Sequence, residues 1–272
     1  MMDFLTIMAS PFAACLVLMG IHTYLGVHVL ARQVIFVDLA LAQVAALGAA
    51  VASVVGFEAG SPSAYAMSLA LTLLGAGLFA ITRTRRRHVS QEAVIGIAYA
   101  VAAAATILVM ARLPHGAEEI KAVLVGSILW VSWDKVFVTA ALYAVIGALH
   151  WMWRERLLTI SYDPDEAARR GYRIRLWDFL FYATFGVVVT RSVHIAGVLL
   201  VFCFLIVPAL GASLFANALR SRLVIGWLMG TLVSMIGCTL SYLWDLPTGA
   251  VIVCTFGGTL GALALFRVAR HA

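Results

Sequence analysis

What most constrains this chain is a succession of uncharged apolar stretches, each about as long as a bilayer is thick. Crossing ~30 Å of hydrocarbon takes roughly 20 apolar residues in a helix, because no backbone N–H or C=O can be left unpaired there. Cutting the sequence where charge, Pro and Gly interrupt such runs gives nine segments, at about 4–31, 34–56, 62–82, 92–113, 134–153, 177–194, 196–218, 223–243 and 249–267. The stretch 114–133 (PHGAEEIKAVLVGSILWVSW) is too broken by charge and Gly to span. It is expected to be an outer loop with an amphipathic or re-entrant piece, and eight spans plus a re-entrant segment is the alternative count. Composition excludes a soluble protein: 63% of residues are hydrophobic and 12% charged, where soluble domains carry about 25% charged residues. The expected fold is therefore an all-α integral membrane protein, a polytopic helical bundle forming one membrane domain over 1–272.

The N-terminus has no basic region, and its apolar run reaches Leu30, too long for a signal peptide, so it reads as the first span. The four cysteines, Cys15, Cys203, Cys238 and Cys254, lie inside apolar runs without CxxC spacing and read as small buried hydrophobes.

Orientation follows from Lys and Arg, which are enriched in short cytoplasmic loops. With the loops after spans one, three, five and seven and the C-terminus inside, fifteen of the nineteen basic residues are cytoplasmic. They include Arg32, Arg83, Arg85, Arg86 and Arg87, the arginines of 154–175, and Arg220, Arg222, Arg267 and Arg270. Arg112, Lys121, Lys135 and Arg191 are left outside. The expectation is an N-terminus outside and a C-terminus inside, and the RTRRRH run then needs no nucleic acid to explain it.

Between spans five and six, 154–176 holds ten charged residues. Within it, Asp163-Pro164-Asp165-Glu166-Ala167-Ala168-Arg169-Arg170-Gly171 reads as a complete small helix. Asp163 is the N-cap, Pro164 takes the first helical position and Glu166 has capping-box spacing. Acids fill the first turn and basic residues the last, and Gly171 supplies the left-handed stop. So short a helix is marginal alone, so it docks either on its own membrane domain or on a partner. The chain has no GxxxxGK[ST], so nucleotide-driven transport would need an ATPase on another subunit.

An ionisable group in hydrocarbon costs at least ~2.5–3.5 kcal/mol, so each one is a functional candidate. The hairpin of spans one and two concentrates them: His22 and His28 going in, Asp38 and Gln43 coming back. Taking Arg32 as the turn and ~1.5 Å per residue, His28 lies ~6 Å and Asp38 ~9 Å from it, with His22 and Gln43 ~15 Å away. Imidazole with carboxylate suits a borderline divalent cation such as Zn²⁺ or Mn²⁺, and a transit site should be incomplete enough to let the ion leave. The alternatives are a neutralising His28–Asp38 pair and, for His22, a hydrogen-bonded packing histidine. Glu92 and His150 read as solvated span ends. His194, with Arg191 and Ser192, is either a ligand on the way in or an ordinary interfacial residue. Pro208 should kink span seven, and the glycines of Gly257 to Gly261 and of Gly230 to Gly237 should favour close helix packing.

The ordered blocks LVGSILWVSWDKV, LLTISYDPDEAARRG, VHIAGVLLVFCFLIVPALGA and LSYLWDLPTGAVIV resemble the permease subunits of ATP-binding-cassette importers for zinc, manganese and iron, from about Gly20 to Val253. The resemblance implies a vitamin-B12-importer-like permease architecture, a homodimer of helical subunits in the bacterial inner membrane. It also implies a cytoplasmic ATP-binding subunit pair that holds the ATP and an extracytoplasmic metal-binding protein. On this likeness 163–171 is the coupling helix, Pro208 the family proline, and Asp245-Leu246-Pro247-Thr248-Gly249 the outer turn, with Asp245 and Pro247 at a gate or binding-protein contact. The second span departs from the family's Gly-Asp-Ala-Leu-Ser-His: Asp38 falls one position early, and Gln43 stands where the family has histidine. His28 or His22 would have to supply the missing imidazole.

The leading expectation is a non-enzymatic transport subunit whose cargo is a divalent metal, zinc foremost, manganese or iron otherwise, delivered around 114–121 and 245–249 and released inward past Asp38. An ion-gradient-driven carrier of metal or small solutes, or a permease for a metal chelate, is the alternative. An intramembrane hydrolase lacks support, since neither HExxH nor GxSxG occurs.

Overall fold

The computed structural model describes residues 2–58, 60–83, 90–113, 116, 118 and 124–271. Its helices are α1 (Met2–Arg32), α2 (Val37–Val55), α3 (Pro62–Thr82), α4 (Gln91–Met110), α5 (Trp133–Met152), α6 (Arg154–Tyr162), α7 (Pro164–Arg169), α8 (Ile174–Ser213), α9 (Leu219–Trp244) and α10 (Thr248–His271). A single turn of 3₁₀ helix, Ile128–Trp130, precedes α5. Among the described residues there is no strand.

Among the described residues, eight helices are long and apolar enough to cross a membrane. The spans expected at 177–194 and 196–218 are joined in α8, whose 40 residues would reach roughly 60 Å at ~1.5 Å per residue, twice the hydrocarbon thickness. α8 is in fact two helices meeting at Gly197 (φ 76, ψ 163), a conformation open to glycine and closed to side-chain-bearing residues. The break falls there, and Pro208 sits within the helix beyond it. In 114–133, the described residues Gly116, Glu118, Leu124 and Val125 are helical and the 3₁₀ turn follows them, while most of the expected amphipathic or re-entrant piece lies outside the described residues. Arg85, Arg86 and Arg87, and with Lys121 most of 114–121, lie outside the described residues.

The chain forms two compact units, and α1, α5 and α8 each pass from one to the other. Unit 1 comprises Met1–Leu30, Val125–Tyr143 and Ile195–Ala272, and unit 2 comprises Ala31–Leu124 and Ala144–His194.

In unit 2, α3 runs antiparallel to the first half of α8. Arg83, just past α3, meets Asp178; Thr190 Oγ1 donates to Thr72 Oγ1 at 3.1 Å; and the Tyr65 and His194 rings lie 5.8 Å apart. Gly48 of α2 lies so close to α3 that an added Cβ would be 2.5 Å from Ser68 Cα. Phe79, Phe181, Tyr182 and Phe185 form a buried aromatic cluster. Apolar residues such as Leu74, Ile81, Ile97 and Leu108 are exposed on the outer faces of α3 and α4, as lipid-facing positions must be.

In unit 1, small residues again set helix separation. A Cβ on Gly26 would overlap the Leu205 carbonyl oxygen, and one on Gly226 would lie 2.6 Å from Thr23 Cγ2 and 3.2 Å from Pro208 O. Gly230 abuts Met19 and Gly237 abuts Ile252, so the 230–237 stretch packs closely as expected. Gly257, Gly258 and Gly261 do not: nothing lies within 4 Å of where their Cβ atoms would be. With no hydrophobic drive between helices in lipid, close van der Waals packing of this kind is what holds spans together.

Replacing Gly48 by Leu should therefore cost about 1–3 kcal/mol by overpacking and lower the melting temperature of the detergent-solubilised protein. Gly147→Ala, at a helical position with open space around it, should leave that temperature unchanged or raise it.

Candidate functional site

Asp38 stands in the first turn of α2, 1% exposed. The N-terminal end of a helix favours a negative charge, yet neither carboxylate oxygen has a hydrogen-bond partner among the described residues. The α2 N-terminus is served instead by Glu92, whose Oε1 accepts from Phe36 N–H at 3.1 Å. Glu92 is thus a cap for another helix and not only a solvated span end. Buried polar groups almost always find a partner, so a buried carboxylate with both oxygens open calls for an explanation. A cation or a proton satisfies it. Gln43, 8% exposed, lies five residues on, which at ~100° per residue puts it about 140° around α2 from Asp38. The helix therefore does not stack the two side chains into one ligand pair.

The imidazoles are in unit 1. His22 is fully buried, and its Nδ1 lies 2.6 Å from the Leu18 carbonyl oxygen. A carbonyl can only accept, so Nδ1 carries the proton and Nε2 presents a lone pair, with no hydrogen-bond partner among the described residues. Metal-binding histidines are commonly held in this way, one ring nitrogen donating to a backbone carbonyl while the other faces the ion. The Tyr143 ring packs edge-on to His22 at 6.3 Å. His28, also fully buried, stands one turn after Tyr24 and meets its ring at 4.8 Å. Among the described residues no three His, Cys, Asp or Glu side chains come close enough together to hold a metal ion.

His194 is exposed beside Tyr65. Asp245 and Pro247 are exposed on the turn between α9 and α10, where Asp245 adopts φ 50 and closes α9. Ser241 pins that turn: its hydroxyl donates to the Leu246 carbonyl at 2.8 Å and lies 2.7 Å from Thr248 Oγ1.

The expected small helix exists as α7. Asp163 Oδ1 accepts from Glu166 N–H at 2.8 Å, and Pro164 takes the first position. At the far end Gly171 has φ 74, Tyr172 N–H reaches Ala167 O and Gly171 N–H reaches Ala168 O, a Schellman stop. One detail differs from a capping box. Asp163 N–H is already taken by Thr159 O, the last bond of α6, so Glu166 turns to Arg169 and Arg170 at 2.8 and 2.7 Å. Hydrogen bonds from Arg170 and then Arg169 hold its carboxyl below the ordinary glutamate value. Asp165 is exposed, and Ala167 is fully buried.

A second buried carboxylate was not among the sequence candidates. Asp178, fully buried near the start of α8, takes an ion pair on one oxygen from Arg32 at 2.7 Å and from Arg83. Arg32, 1% exposed, also donates from Nε to Ser161 Oγ at 2.9 Å and lies 4.0 Å over the Phe181 ring. Arg83 Nη2 reaches the Ile160 carbonyl at 3.4 Å. His150, read from sequence as solvated, is 2% exposed. It stands 2.8 Å from Thr184 Oγ1, whose own proton goes to the Leu180 carbonyl, so the imidazole is the donor. The available signal for this cluster was one Asp at the head of an apolar run, after a loop rich in arginine.

The sequence profile of the ABC 3 transport family matches residues 4–266. A "probable metal transport system membrane protein" of Chlamydia trachomatis is 25% identical over 68% of this chain and 63% of its own. The manganese import system permease protein ScaB of Streptococcus pneumoniae is 30% identical over 53% of this chain and 52% of its own. The chain thus spans under two thirds of the length of these curated relatives. Among solved structures, PsaBC from Streptococcus pneumoniae in complex with Fab superposes with a TM-score of 0.80 at 21% identity, over 96% of this chain and 93% of that one. The fold is that of an ATP-binding-cassette permease.

If Asp38 is kept for an ion and not for packing, Asp38→Asn should hold or raise the melting temperature of the metal-free protein, because an unpaired buried charge is removed. A fall of several degrees in thermal-shift measurements would assign Asp38 a structural role.

Proposed function

This chain belongs to the ABC 3 transport family, and we propose that it is the membrane-spanning subunit of an ATP-driven importer that carries a divalent transition metal ion into the cell. The observation that carries the reading is Asp38, a buried carboxylate with both oxygens open in a span. Such a group attracts a cation at modest cost to the fold. It cannot hold the ion tightly by itself, which is what transit requires. Carboxylate and amide oxygen favour manganese and imidazole favours zinc or iron. Asp38 therefore biases its own position toward manganese, Gln43 is a separate oxygen ligand on another face of α2, and His22, with Nε2 open, and His28 are separate imidazole ligands suited to iron and zinc.

Partners follow from the same reading. α7 is capped at both ends and exposed on Asp165, Arg169 and Arg170, so it suits docking on a cytoplasmic ATP-binding subunit pair that supplies the energy. A metal-binding protein outside the cell delivers cargo near Asp245 and Pro247, with His194 as a weaker contact, and a second copy of the chain completes the pathway. The excess of basic residues on the α7 side supports a cytoplasmic C-terminus and an N-terminus outside, in a bacterial inner membrane.

Uptake into proteoliposomes of the assembled complex tests this directly, with Mn²⁺, Fe²⁺ and Zn²⁺ in competition. Asp38→Asn should lower uptake at least tenfold while leaving assembly intact, with smaller losses for His22→Ala, His28→Ala and Gln43→Ala. Unchanged uptake in Asp38→Asn rejects the site, and uptake independent of ATP rejects the energy source in favour of an ion-gradient carrier. Separately, Glu166→Lys or Gly171→Pro should abolish co-purification of the ATP-binding subunits. Retention of a coupled complex in both removes α7 as the docking element.

A further inference from the structure

Asp178 brings together the ends of three helices. Arg32 ends α1, Arg83 follows α3, and Asp178 itself opens α8. Both arginines also grip α6: Arg32 through the Ser161 hydroxyl and Arg83 through the Ile160 carbonyl. Ser161 lies two residues before Asp163, the cap of α7. On the other side, Arg32 lies six residues before Asp38, across a short turn that begins with Gln33 in the left-handed region (φ 56) and runs directly into α2. All of these residues belong to unit 2. The two arginines that converge on this carboxylate therefore link the segment that bears α7 to the turn that leads to Asp38.

We propose that Asp178 is the joint through which displacement of α6–α7 reaches the Asp38 end of α2, a positioning residue for transport that never touches the metal. The proposal rests on the reading that α7 meets an ATP-binding subunit. The chemistry suits a joint. Two guanidinium groups converge on one buried oxygen, and the second oxygen, Oδ2, has no hydrogen-bond partner among the described residues. A guanidinium can move from one oxygen to the other without leaving the carboxylate, so the pair can re-form in a second arrangement. The aromatic face of Phe181 under Arg32 at 4.0 Å guides that motion in the plane of the ring and keeps water out. A pull on α6 acts on Arg32 through Ser161 Oγ at 2.9 Å, and Arg32 can shift only together with the turn that follows it.

The complex of this chain with its ATP-binding subunits, reconstituted in proteoliposomes, separates a joint from a brace. The readout is metal ions taken up per ATP hydrolysed, normalised to assembled complex. A brace changes how much complex assembles and leaves that ratio alone. Asp178→Asn should keep ATP hydrolysis within about twofold of the parent while the ratio falls at least tenfold. Ser161→Ala, which cuts only the link from α6 to Arg32, should lower the ratio about threefold with the ion pairs intact. An unchanged ratio in Asp178→Asn overturns the proposal. Should that variant fail to assemble, an unchanged ratio in Ser161→Ala overturns it. Absence of ATP-dependent uptake in the parent complex is a different result: it removes the docking reading on which the joint depends, and the joint with it.

Discussion

A carboxylate taken out of water needs a cation or a proton, and the two buried aspartates of unit 2 meet that need differently. Asp178 has more cation than it requires: two arginines on one oxygen. Asp38, close along the chain to one of those arginines, has none among the described residues. Breaking a buried pair costs about 3–5 kcal/mol by leaving a charge uncompensated, so the Asp178 pairing ties the last residue of α1, the end of α3, the end of α6 and the first half of α8 together within that unit. Among the described residues of unit 2 the buried ion pairs meet at Asp178, and the carboxylate of α2 takes no part in them.

The second ordering principle is contact between backbones. Gly48 against Ser68, Gly226 against Pro208 and Gly237 against Ile252 bring helices closer than side chains would permit. Each gives up side-chain area that would be worth nothing in lipid, where a neighbouring helix is no more apolar than the acyl chains it replaces.

The sequence is most readable where the physics is local. Apolar runs of bilayer length marked the spans, and Asp163, Pro164 and Gly171 marked both ends of α7, because capping acts between residues a few positions apart. It is least readable where partners are distant. Arg32 and Asp178 are 146 positions apart, and Arg32 alone looked like one more cytoplasmic arginine. Glycine runs were equally ambiguous: Gly230 and Gly237 sit against other helices, whereas Gly257 to Gly261 face open space, and nothing in their composition tells them apart. The boundary expected between 194 and 196 was legible and falls at Gly197, because only a glycine admits φ 76 with ψ 163. Of the site, Asp38 was legible as a scarce charge. The tautomer of His22 was not, since it depends on the distance to the Leu18 carbonyl.

The double cap of α7 has a consequence for the kinetics of assembly. A six-residue helix in isolation would be largely unwound, and a partner binding it would have to pay the ordering entropy at contact. Here Asp163 and the Gly171 stop complete its terminal hydrogen bonds in advance, and buried Ala167 fastens it to the rest of the chain. If an ATP-binding subunit meets α7 as proposed, their association would be rigid-body docking, with a small heat-capacity change and a rate set by diffusion and charge instead of by coupled folding. Under that proposal the membrane half would not have to refold when such a subunit binds or leaves.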